Sequence, residues 1–99
     1  MLIILGTIRI PVEQLNRAQP IMARMISASR AEEGCLDYSY AEDVLVPGLI
    51  HVAERWTTRA ALDRHFQQPH LAEWRAAWSE LSIADRQLFL YESAGPQII

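Results

Sequence analysis

Strand-like and helix-like spacings of apolar residues succeed one another along this 99-residue chain in the order β-α-β-β-α-β, and few folds accommodate that order. Leu2 to Ile10 is rich in β-branched side chains and is closed by Pro11, so it reads as a strand. From Val12 to about Ala31 the period becomes helical, with Leu15, Ala18, Met22, Met25 and Ile26 on one stripe. Pro20 lies inside that stripe and removes a backbone hydrogen bond, which predicts a kink or a late helix start. Gly34 is expected to end this helix as a left-handed cap. Cys35 to Glu42 alternates as a half-buried strand, Val46-Pro47-Gly48-Leu49 fits a type II turn, and Leu49 to Trp56 is the return strand. Thr57 or Thr58 caps a second helix with Ala61, Leu62, His65 and Phe66 on one face. Pro69 breaks it and opens a further helical stripe of His70, Leu71, Trp74, Ala77, Trp78 and Leu81. A last strand from about Arg86 to Glu92 and an apolar tail complete the chain.

Two βαβ halves joined by a hairpin predict an α+β, ferredoxin-like fold over residues 1–99 as a single domain. It has a four-stranded antiparallel sheet with helices on one face. Helices on one face leave a difficulty. Ile3, Leu5, Phe89 and Tyr91 alternate with Ile4, Leu88 and Leu90, so apolar side chains fall on both faces. A second copy stacked sheet to sheet would cover the other face, and a homodimer is therefore expected.

Composition removes several classes of function. All nine basic residues are Arg, so a Schiff-base lysine, a lysine-anchored pyridoxal cofactor and a P-loop are out of reach. One Cys forbids an internal disulfide or a multi-cysteine metal site. A formal net charge of −3 argues against nucleic acid and anionic membrane surfaces, which need clustered positive charge. No segment approaches the roughly 20 apolar residues of a membrane span. Met1 to Leu5 lacks a basic leader, and the expected compartment is the cytoplasm.

Helical spacing puts His65 on the apolar face with Leu62 and Phe66, and puts His70 on one face with Trp74. Two imidazoles and an indole thus converge near a helix junction above the sheet. His70 stands near a helix start, where the dipole disfavours its charged form, and a neutral imidazole is a usable general base near pH 7. The same spacings also describe ordinary core packing, above all for Trp78. A metal site from His51, His65 and His70 lacks a known ligand spacing, so no metal and no cofactor are expected. Cys35 follows a helix end rather than a helix start and reads as a small buried hydrophobe.

Glu32-Glu33-Gly34-Cys35, Glu54-Arg55-Trp56, and the run from Ala61 through His65, Pro69 and His70 to Leu71 resemble the antibiotic biosynthesis monooxygenase family. The likeness is greatest to its quinol-monooxygenase-like members. The resemblance implies a dimeric α+β barrel with a pocket between helices and sheet. It also implies a monooxygenase that uses neither metal, flavin nor haem, in which a quinol or phenol is deprotonated and its anion meets dioxygen. By position His65 would be the base. Trp56, Phe66 and Trp74 would be ring-stacking walls, with His70 and Tyr40 as secondary polar contacts. Thr7 on the first strand and His65 on the helix depart from the haem-degrading relatives, and Val52 replaces the Asn that some polyketide-oxidising relatives carry four residues before the Trp. Two alternatives stand beside the oxygenase: an isomerase of the same fold, moving a proton alpha to a carbonyl, and a non-catalytic dimeric ligand-binding module.

Overall fold

The computed structural model describes residues 1–99 and contains the expected sheet: β1 (Leu2–Arg9), β2 (Cys35–Glu42), β3 (Leu49–Trp56) and β4 (Ala84–Glu92), in spatial order β2-β3-β1-β4. All three pairings are antiparallel, and α1 (Leu15–Arg30), α2 (Arg59–His65) and α3 (Pro69–Leu81) complete the α+β, ferredoxin-like architecture. Register fixes the faces. Ile4 pairs with Leu90 and Glu54 on one side of the sheet, while Leu5 pairs with Phe89 and Ala53 on the other.

Local chemistry accounts for most boundaries. The turn at Val46–Leu49 closes with the Leu49 amide on the Val46 carbonyl at 3.2 Å, and Gly48 takes the positive φ of 81° that a type II turn requires. Thr58, not Thr57, caps α2, its hydroxyl accepting from the Ala61 amide at 3.1 Å. Pro69 opens α3, where a missing N–H costs nothing. Two expectations shift. A short 3-10 turn (Val12–Gln14) leads into α1, which starts before Pro20 and runs through it to Arg30. Pro20 carries no N–H, so the Asn16 carbonyl lacks the donor that a helix would otherwise give it. Gly34 lies beyond the helix end at φ 86°, and both that φ and the side-chain clash with Ala61 and Thr57 favour glycine there. β4 also begins two residues earlier than expected, at Ala84.

The core lies between the sheet and the helices. Ile4, Ile8, Ile50, Val52 and Trp56 from the sheet meet Ala18 and Met25 of α1, Leu62 of α2 and Leu71, Trp74 and Leu81 of α3. Gly6 carries no side chain because β4 crosses too near, so that a methyl group would overlap the Gln87 carbonyl. On the opposite face Leu5, Phe89 and Tyr91 remain 47%, 56% and 51% exposed.

Candidate active site

A cavity of about 200 Å³ opens between the helix-facing side of the sheet and α2 and α3. Its floor is Ile4, Tyr38, Tyr40, Glu54, Leu88 and Leu90, and its helical wall is Leu62, His65, Phe66, Leu71 and Arg75. An apolar cavity of about 150 Å³ holds one benzene ring, so the space suits a substituted aromatic ring.

His65 is 1% exposed. Its helix places it there through the apolar spacing with Leu62, and the rings of Trp56 and Tyr38 enclose it at centroid distances of 4.7 and 5.3 Å. Nδ1 lies 2.6 Å from Glu32 Oε2, and His70 Nε2 lies 2.8 Å from the same oxygen. One carboxylate therefore joins the two imidazoles. Nδ1 of His65 being committed to Glu32, Nε2 is the nitrogen left for a ligand. Burial lowers the His65 pKa below its ordinary 6.5, and the Glu32 hydrogen bond opposes that shift.

Glu54 shares the cavity. It projects from β3 in phase with Ile50, Val52 and Trp56, is 4% exposed, and accepts a hydrogen bond from the Trp56 indole nitrogen at 3.0 Å. Burial raises its pKa from 4.5 to about 7, against the pull of that bond and of Arg75 and Arg86. The cavity thus holds a base kept neutral and a carboxyl group that keeps its proton into the neutral range. Burial thus moves the two groups in opposite directions and inverts their usual order, and perturbed titratable groups sharing a cavity make it a candidate functional site.

Of the residues singled out from sequence, Tyr40, His65 and Phe66 line the cavity. Trp56 and Trp74 are both 0% exposed and stand behind the lining residues, Trp56 against His65 and Trp74 against Tyr40. His70 reaches the site through Glu32. His51 is elsewhere, bonded to Asp43 at 2.7 Å. Cys35 is partly exposed rather than buried. Its thiol is pushed up to about 11, first by desolvation and then by the carboxylates of Glu32, Glu54 and Asp37, so it stays protonated. Glu32, His65 and His70 are the one group whose donor atoms are close enough to hold a metal ion, within 4.8 Å of one another. Hydrogen bonding through Oε2 accounts for the same arrangement.

Glu32, Glu54, Arg75 and Arg86 were absent from the sequence-derived site. Glu54 had a readable signal, a charged residue on the inward phase of an apolar strand. Arg75 sits one helical turn after Leu71, and Arg86 is in phase with Leu88 and Leu90. Glu32 is separated from His65 and His70 by 33 and 38 residues, and no local pattern links them.

A sequence profile described as antibiotic biosynthesis monooxygenase matches residues 1–77. A crystal structure from Deinococcus radiodurans, provisionally described as an antibiotic biosynthesis monooxygenase, superimposes with a TM-score of 0.91 at 27% identity, covering 100% of this chain and 98% of that one. The structure of Rv0793 from Mycobacterium tuberculosis gives a TM-score of 0.77 at 26% identity over 98% of this chain and 96% of its own. By sequence, Rv0793, whose name proposes a monooxygenase activity, is 38% identical over 61 residues, 62% of this chain and 59% of its own length. The uncharacterized protein sll1783 of Synechocystis is 29% identical over 98 residues, 99% of this chain and 67% of its own length.

Proposed function

The chain belongs to the antibiotic biosynthesis monooxygenase family, and we propose that it is a cofactor-independent monooxygenase oxidising a quinol or phenolic small molecule with dioxygen. One observation carries the reading: a buried imidazole on the wall of a ring-sized cavity, held through Nδ1 by a carboxylate and kept neutral by burial.

In this reading His65 Nε2 takes the proton of a substrate hydroxyl. The anion places electron density on a ring carbon, which bonds to dioxygen and gives a hydroperoxide once a proton returns. Loss of the C–H proton from that carbon to the base then breaks the O–O bond. One oxygen stays as a carbonyl and the other leaves as water, protonated by Glu54. The substrate is the only reductant, so atoms and electrons balance without a metal or flavin. Burial strengthens each charge–dipole contact along the way. Glu32 acts as a positioning residue that fixes the tautomer of His65. Phe66 and Tyr40 border the ring.

Oxygen uptake with a naphthohydroquinone tests the reading. Uptake matched by a hydroxynaphthoquinone that carries one oxygen atom from dioxygen, with no hydrogen peroxide released and no effect of a chelator, is the expected result. Interconversion of a hydroxyketone without oxygen uptake would instead support the isomerase, and binding without turnover the non-catalytic module.

We also propose a homodimer through the helix-free face, supported by the exposure of Leu5, Phe89 and Tyr91 on neighbouring strands. Light scattering at micromolar concentration is expected to return twice the 11.3 kDa chain mass. Leu5→Glu or Phe89→Glu should return the monomer mass, and a wild-type monomer would overturn the assembly.

A further inference from the structure

Five of the chain's arginines sit in ion pairs: Arg9, Arg17, Arg24, Arg55 and Arg59. Arg30 donates to the Tyr38 carbonyl at 2.8 Å. Arg75 and Arg86 do neither, although the chain carries 12 carboxylates. Both line the cavity, one from α3 and one from β4. Arg64, also without an ion pair, does not line it.

Desolvation first, and then the neighbouring charge on Arg86, disfavours the charge on Arg75. Neighbouring like charges are unfavourable, and cations gathered at a cavity raise the local concentration of anions. The carboxylate beside them does not neutralise them. Glu54 binds the Trp56 indole, makes no ion pair with either arginine, and keeps its proton into the neutral range. The Arg75 guanidinium carbon lies over the Trp78 ring, 5.0 Å from its centre. A planar guanidinium presents paired donors that match a carboxylate or phosphate.

We propose that Arg75 and Arg86 form an anion subsite of this cavity, and that its ligand bears a carboxylate or phosphate group on or beside the aromatic ring. The proposal rests on the reading of this cavity as the substrate site, but it concerns binding and not the reaction.

Equilibrium binding on the wild-type protein, followed by tryptophan fluorescence, provides the test with 2-naphthol, 2-naphthoate and 2-naphthyl phosphate. At least one of the two anions is expected to bind about tenfold or more tightly than the neutral naphthol, as hydrogen bonds to charged groups allow. The tighter of the two identifies the source of the charge. Arg75→Gln and Arg86→Gln should each reduce that advantage, and in the double variant the anions should bind no more tightly than 2-naphthol. Both side chains are exposed, so the variants should fold, which circular dichroism checks. The subsite is overturned if neither anion outbinds 2-naphthol, or if the double variant keeps the preference. Failure of quinol oxidation, by contrast, would leave the anion preference in place and count against the oxygenase alone.

Discussion

Replacing His65 with alanine is expected to lower turnover of a naphthohydroquinone by about 10²–10⁴-fold, the range supplied by a positioned general base, while the protein stays folded. The site explains why the two effects separate. Glu32 loses one donor but keeps His70 at 2.8 Å, so its carboxylate is not orphaned. The space vacated by the imidazole adjoins an existing cavity, so little new buried void is created. A merely structural His65 predicts the reverse: a clear fall in melting temperature with turnover per folded molecule unchanged. Glu32→Gln supplies the second arm. Its amide still accepts from His65 Nδ1 but no longer favours the developing imidazolium, so kcat should fall less than in His65→Ala, and the acid limb of the rate profile should move to lower pH. A folded His65→Ala protein with wild-type oxygen uptake removes the mechanism.

Much of this site was readable because short-range patterns encode it. The apolar spacing of Leu62, His65 and Phe66 pointed the imidazole inward, and Pro69 marked the helix junction, since proline resets backbone hydrogen bonding wherever it falls. The order of elements along the chain followed from alternating side chains, helical stripes and a Pro-Gly turn. The carboxylate that links His65 to His70 was not readable. Glu32 leaves α1 at the turn into β2, and only the packing of three elements brings it to α2 and α3. The indoles illustrate a second limit. Helical spacing says that Trp74 faces inward, but depth decides whether an inward ring touches a ligand or lies behind the residue that does. Trp74 and Trp56 are enclosed, and the smaller Tyr40 and Phe66 take the wall.

Glu54→Gln is expected to stabilise the protein increasingly as pH rises from about 4.5 to 7. The unfolded carboxyl titrates at 4.5 and the folded one near 7. Below 4.5 both states are protonated and burial carries no charge penalty. Between these values the unfolded chain ionises while the native one holds its proton, so stability is lost as pH rises, reaching roughly 3 kcal/mol above pH 7. Glutamine keeps the shape and the acceptor for Trp56 without the charge. The melting temperatures of variant and wild type should therefore coincide near pH 4.5 and diverge by on the order of 10–20 °C at pH 8. The difference curve is the quantity to measure, because His65 contributes an opposite slope. Its depressed pKa means that its share of stability is present above 6.5 and lost as pH falls below that value. A difference curve flat between pH 5 and 8 would mean that Glu54 is not a titrating buried acid. The same substitution should lower turnover near pH 7 and remove the alkaline limb of the rate profile, because it deletes the proton that the departing oxygen needs. A residue that destabilises the fold at neutral pH, and whose removal costs activity while adding stability, is kept for its chemistry and not for its packing.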